Sequence, residues 1–256
     1  MVIALGTIIE WHGEPLTEWD VHNPVLDWYD HWNCIDDRIK DPGGHLRRSA
    51  AIFGHDLVNM ASYSHEVLRW LAPDQIRHSQ SVVSVGAMAE AFLVSVRSAY
   101  DAVAIALASR ASTNRQQVPQ DGLGSLLRWA GKNPERVHTA VLDVLSSDLT
   151  CFWRLRQIRD QIVHRGADAI IHCTGRQFNL WLHSPTDGWI SREPLLPLLA
   201  SQFEHLLGFA GLSGNAINPI IDLPTDRVRS RVVQGVLIPA LHNLRDIAHQ
   251  YAEPSP

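Results

Sequence analysis

Residues 154–166 read RLRQIRDQIVHRG, and the reading of the whole chain turns on them. The stretch has the form of the last turns of a helix that a glycine, Gly166, brings to an end. Arg159, the adjacent Asp160 and, after four further positions, His164 sit inside it. Arg154, Arg156, Arg159 and Arg165 put four cations into twelve residues, with Asp160 alone opposing them. Cations near a helix C-terminus are favoured by the helix dipole, so a solvated helix face accounts for the cluster as well as a binding site does. The helix is expected from Asp148, a capping residue, to Arg165.

Outward from this stretch the pattern is mostly helical. Ser79 to Ser112 is the longest run: Val82, Val85, Met88, Phe92, Val96, Val103 and Leu107 recur at threes and fours, with Tyr100 on the stripe. Helices are also expected from Pro24 to Lys40, Leu46 to Leu71, Leu123 to Ala130, Pro134 to Leu145, Glu193 to Leu212 and Thr225 to Tyr251. Pro239 should kink or split the last one, and loops are expected over Thr113–Gly124 and Gly211–Pro224. Residues 1–11, 169–172 and 178–183 read as strands. The latter two form a hairpin through Thr174-Gly175, and the first is free to pair with it. No linker stands out, so the expectation is one mostly α domain over residues 1–256 with a minor sheet.

Composition narrows the class of protein. The 256 residues are 45% hydrophobic and 19% charged, an ordinary globular balance. No apolar run looks long enough to span a membrane, and the N-terminus lacks the basic start of a signal peptide. A cytoplasmic location without membrane attachment is therefore expected. Net charge is −5 and the isoelectric point about 6.2, which argues against broad, non-specific DNA binding. Cys34, Cys151 and Cys173 are far apart and are expected to be buried thiols.

Asp160 and His164 are four apart on one helix face, where the carboxylate can hold the imidazole in one tautomer and favour its charged form. Arg159 stands about 140° from His164 at about 100° per residue. Its stem is long, so both groups can still reach one phosphate. An arginine fork matches phosphate oxygens, and a histidine can move the proton of an RNA 2′-hydroxyl. Arg159 would stabilise the charge that builds on phosphorus, and the chemistry requires no metal. On the preceding helix Glu90, Arg97 and Asp101 form a charged stripe within AFLVSVRSAYDAVAIAL, either as an ion-pair ladder or as support for the Arg159–His164 helix.

These residues resemble the HEPN superfamily: an Arg, a polar neighbour and a His after four to six intervening residues, near a helix end and after a long helix with an Arg-Ser-x-x-Asp element. The likeness covers about residues 80–166. It implies an antiparallel helical bundle, metal-independent endoribonuclease activity of the kind found in toxin–antitoxin and defence systems, and a homodimer whose two motifs share one cleft. By that resemblance Arg159 and His164 are the catalytic pair and Asp160 supports them. Arg97, Arg156 and Arg165 are candidate RNA-binding residues, with Glu90 and Asp101 in support. An antitoxin or regulatory protein is a further expected partner, and no cofactor or metal is implied. The bare spacing also fits Arg48…His55 and Arg165…His172, but only Arg159 has Asp beside it and the long helix before it.

Other constellations are weaker. HExxH, Gly-x-Gly-x-x-Gly, the P-loop and Gly-x-Ser-x-Gly are missing. His31 with Asp36 and Asp37, His55 with Asp56, and His172-Cys173 are poor metal sets. Trp11, Trp19, Trp28 and Trp32 suit packing, with base stacking as the functional alternative. The competing reading of the whole chain is a non-catalytic helical binding or regulatory protein with a degenerate motif.

Overall fold

The computed structural model describes residues 44–71, 79–112, 118–174, 177–186, 188–221, 243–244 and 246–247. The strand expected over residues 1–11 and the helix from Pro24 to Lys40 lie outside them. So do Cys34, the four N-terminal tryptophans, the His31 set and most of the helix over Thr225–Tyr251. Among the described residues the protein is mainly helical, with six α-helices and one small three-stranded antiparallel sheet.

Helices α1 (His45–Trp70) and α2 (Ser79–Ala111) match the expected spans within two residues. In α1 the buried positions Leu46, Ala50, Phe53, Leu57, Met60, Ser64 and Val67 recur at threes and fours, so one face carries the core. The second half of α2 is buried nearly all round, from Ala99 through Ala111, which marks a core helix. Val82–Ala111 and Leu195–Ile217 do have the length and apolarity of a membrane span, contrary to the sequence expectation. Of those windows 67% and 61% are buried within the protein, as in core helices.

Helix α3 (Leu123–Lys132) follows. The single helix expected over Pro134–Leu145 is broken into a 3-10 turn (Pro134–Arg136) and α4 (Thr139–Leu145). The reason is a contact with another helix: His138 N–H donates to Ala111 O at the end of α2, at 2.8 Å, which takes it out of any helical ladder. Helix α5 (Thr150–Arg165) starts two residues after the expected Asp148 cap.

The hairpin is present as β1 (Asp168–Thr174) and β2 (Gln177–Ser184), with Asp168 opposite His183 and Thr174 opposite Gln177. A third strand, β3 (Gly188–Pro194), was not expected. It pairs antiparallel with β2, Trp181 opposite Arg192, and takes Glu193 and Pro194 out of the expected helix start. Proline is tolerated there because β3 is an edge strand in the order β1-β2-β3. Helix α6 (Leu195–Ile221) begins at once and runs through Gly208, Gly211 and Gly214, where a loop from Gly211 was expected. Each interior glycine costs about 1 kcal/mol. Burial of Phe209, Ser213, Ala216 and Ile217, with Ser213 Oγ donating to Phe209 O at 2.7 Å, offsets that cost.

The chain divides into two compact units. Of the described residues, the first holds 44–57, 98–149 and 205–221, and the second holds 58–97, 150–204 and the few described beyond Pro239. In the first, Tyr100 packs on Phe209 with ring centroids 5.4 Å apart, and Ser49 Oγ donates to Ala102 O. In the second, Phe92 meets Phe203 edge-on at 6.1 Å and Gln202 Nε2 donates to Cys151 O at 3.2 Å. There Gly86 lies against β1 so closely that a Cβ would stand 2.6 Å from Ala169 O.

Candidate functional site

Helix α5 buries Phe152, Leu155, Ile158 and Ile162, spaced by threes and fours. Each such side chain contributes about 1.5–3 kcal/mol when removed from water, which fixes the rotation of the helix. Arg156, Arg159 and Asp160 are thereby left on the partly exposed side. Gly166 then turns the chain at φ +63°, in the left-handed region that favours glycine, and Ala167 N–H bonds back to Gln161 O at 3.1 Å. His164 is held in the last turn before that corner, with 62% of its side chain exposed.

The expected pair is brought into direct contact. Arg159 Nη1 lies 2.7 Å from His164 Nε2, although the two Cβ atoms leave the helix about 140° apart. Arginine can only donate, so Nε2 accepts and the imidazole carries its proton on Nδ1 in this arrangement. Asp160 lies beside all three of these side chains. Its Oδ1 is 3.2 Å from Arg159 Nη1 and 3.9 Å from His164 Nε2, and its Oδ2 is 3.6 Å from Arg156 Nε. The carboxylate is thus within ion-pair range of the imidazole and of both arginines, while Arg159 makes the shorter contact to the ring.

The remaining expected residues are dispersed. Arg97 lies over the Phe152 ring, its guanidinium carbon 4.8 Å from the centroid, and so packs against the buried side of α5. Arg165 is exposed next to His164, and Glu90 is half-buried on α2. Asp101 belongs to the first unit, where its Oδ1 accepts the Leu123 N–H at 2.8 Å and caps the start of α3. Gly122, at φ +129°, is needed there, because a Cβ would collide with the Asp101 carboxylate. Asp101 is thus a capping residue. Arg154, counted in the basic cluster, is engaged by Glu193 of β3.

Among the described residues no three His, Cys, Asp or Glu side chains gather so as to hold a metal ion. Cys151 is half-buried and Cys173 exposed, against the expectation of burial for both. A comparison of the chain with family models, curated proteins and solved structures matches none of them.

A further feature of α5 lies outside the residues expected to form the site. Trp153, Gln157 and Gln161, each four residues from the last, line a cleft of about 730 Å³ between α5 and the sheet, with Leu182, Ser191 and Glu193 on its other side. The i, i+4, i+8 stripe of an indole and two amides was visible in the sequence. The β3 part of its sheet wall was not, because no strand was expected there and Glu193 read as a helix start.

Proposed function

We propose that this protein is a metal-independent endoribonuclease of HEPN type, a cytoplasmic homodimer acting in toxin or defence biology. The observation that carries the proposal is the 2.7 Å contact between Arg159 Nη1 and His164 Nε2 at the exposed end of α5. Arg159 is a resting cap on the base. When a phosphodiester arrives, the guanidinium fork turns to its oxygens, which match it better than one ring nitrogen does, and Nε2 is released. His164 then takes the proton from the 2′-hydroxyl, and the 2′-oxygen attacks phosphorus. The bond to the 5′-oxygen breaks, leaving a 2′,3′-cyclic phosphate. The leaving alkoxide takes its proton from the imidazolium or from water, while Arg159 stabilises the charge on the equatorial oxygens. Asp160 keeps Arg156 and Arg159 on the same side of the helix throughout.

The test is RNA cleavage in EDTA by wild type beside Arg159→Ala and His164→Ala. Loss of general acid–base help lowers rates by roughly 100- to 10,000-fold, so both variants should fall at least that far with melting temperature unchanged. Wild type that leaves RNA intact, or variants that cut as it does, would remove the assignment. The competing reading, a non-catalytic binding or regulatory protein, draws on Asp160, which balances Arg156 and Arg159 within the helix. It predicts intact RNA in every arm.

A further inference from the structure

The cleft beside α5 has a volume of about 730 Å³, within the range of roughly 300–1,000 Å³ in which small-molecule sites fall. Both its walls belong to the second unit. Its charges cancel, since Arg154 is held by Glu193. What remains is an indole, the apolar side chains Ile158 and Leu182, and neutral amides and hydroxyls. Two of those neutral groups are unsatisfied: Gln161 Oε1 and Ser191 Oγ are buried without a hydrogen-bond partner. Buried polar atoms are nearly always paired, and leaving them unpaired is destabilising, so a ligand that supplies the partners is favoured here. Trp153 keeps 41% of its surface exposed, and the Arg156 guanidinium lies over its ring at 5.6 Å.

An aromatic face, an apolar floor and unsatisfied neutral hydrogen-bonding groups match a planar ligand with apolar faces and a polar edge. They do not match a phosphate, because the cleft's one arginine is already engaged. We infer that this cleft binds a nucleobase, stacked on Trp153, with its edge read by Gln157, Gln161 and Ser191. His164 follows Gln161 by three residues, about 5 Å along the helix axis at about 1.5 Å per residue. A base in the cleft and a phosphate at Arg159–His164 can therefore belong to one stretch of single-stranded RNA. The binding of the base stands on the cleft alone; its role in choosing where RNA is cut rests on the ribonuclease reading.

The experiment is calorimetric titration of the full chain with AMP, CMP, GMP and UMP, and with ribose 5-phosphate as the baseless control. At least one nucleotide should bind at millimolar concentration or below, and ribose 5-phosphate should not. Trp153→Ala should weaken binding by at least about fivefold, the lower end of what a lost stacking partner does, and Trp153→Phe should restore most of it. Gln157→Ala, at an exposed position, should also weaken it. Absence of nucleotide binding, equal binding of ribose 5-phosphate, or an unchanged Trp153→Ala variant would overturn the inference. Nucleotide binding by a protein that leaves RNA intact would uphold the cleft and remove the ribonuclease; cleavage without base binding would do the reverse.

Discussion

Asp101 on α2 and Asp160 on α5 occupy the same local pattern, each four residues after an arginine, Arg97 and Arg156. Their fates differ. Asp101 gives its carboxylate to a backbone N–H twenty-two residues away and holds the start of α3, beside a glycine that no other residue can replace without collision. Asp160 stays on the surface, 41% exposed, between two arginines at 3.2 and 3.6 Å. One aspartate is consumed by the fold and the other is left available for chemistry. Spacing along a helix does not separate the two; what separates them is whether a chain segment arrives with an orphan N–H.

That contrast can be broken at several points. The largest effect is expected from Gly122→Ala. It strains a backbone position that only glycine occupies readily and displaces the Asp101 carboxylate, so it should destabilise the protein by about 2 kcal/mol or more in urea unfolding. Asp101→Ala should lose about 1 kcal/mol, the worth of a helix cap, while the proposed RNA cleavage, per folded molecule, stays at the wild-type rate. If cleavage falls instead, Asp101 belongs to the site and the contrast fails. Asp160→Ala should cost well under about 1 kcal/mol, as exposed ion pairs do, yet lower the proposed RNA cleavage by freeing Arg156 and Arg159 to move.

The smallest effect concerns a third carboxylate of the first unit. Burial raises the Asp56 pKa above its ordinary value, and the Ser98 hydrogen bond and His55 oppose this only in part. An acid with a raised folded pKa favours the fold below its unfolded pKa of about 4 and loses that advantage as pH rises through the folded value. Asp56→Asn should therefore be more stable than wild type at pH 7, with the gain vanishing near pH 4; thermal melts across that window check it. A loss of stability at pH 7 would mean that the ionised carboxylate is better satisfied than its surroundings indicate.

The long helices were legible because α1 and α2 repeat an apolar stripe over seven turns or more, which only one regular structure satisfies. β3 was not, since SREP offers no alternation and its strand form depends on the edge of β2. The end of α6 was misread because its glycines signal a stop, and only burial of Ile217 and its neighbours overrides them. Within the site, the identities of Arg159, Asp160 and His164 and the glycine corner after them were readable. The direct Arg159–His164 contact was not, because the wheel angle set those two residues apart.

By itself the sequence determined the residue types at the end of α5, the spacing that puts Asp160 one turn before His164, and the helix stop at Gly166. Those are local properties, set by backbone conformation and by pitch. Only the tertiary structure decided that Asp101 is taken by Leu123, and that Trp153, Gln157 and Gln161 face a sheet across an open cleft. Long side chains have several rotamers of nearly equal energy, and the choice among them falls to neighbours that are remote in the chain.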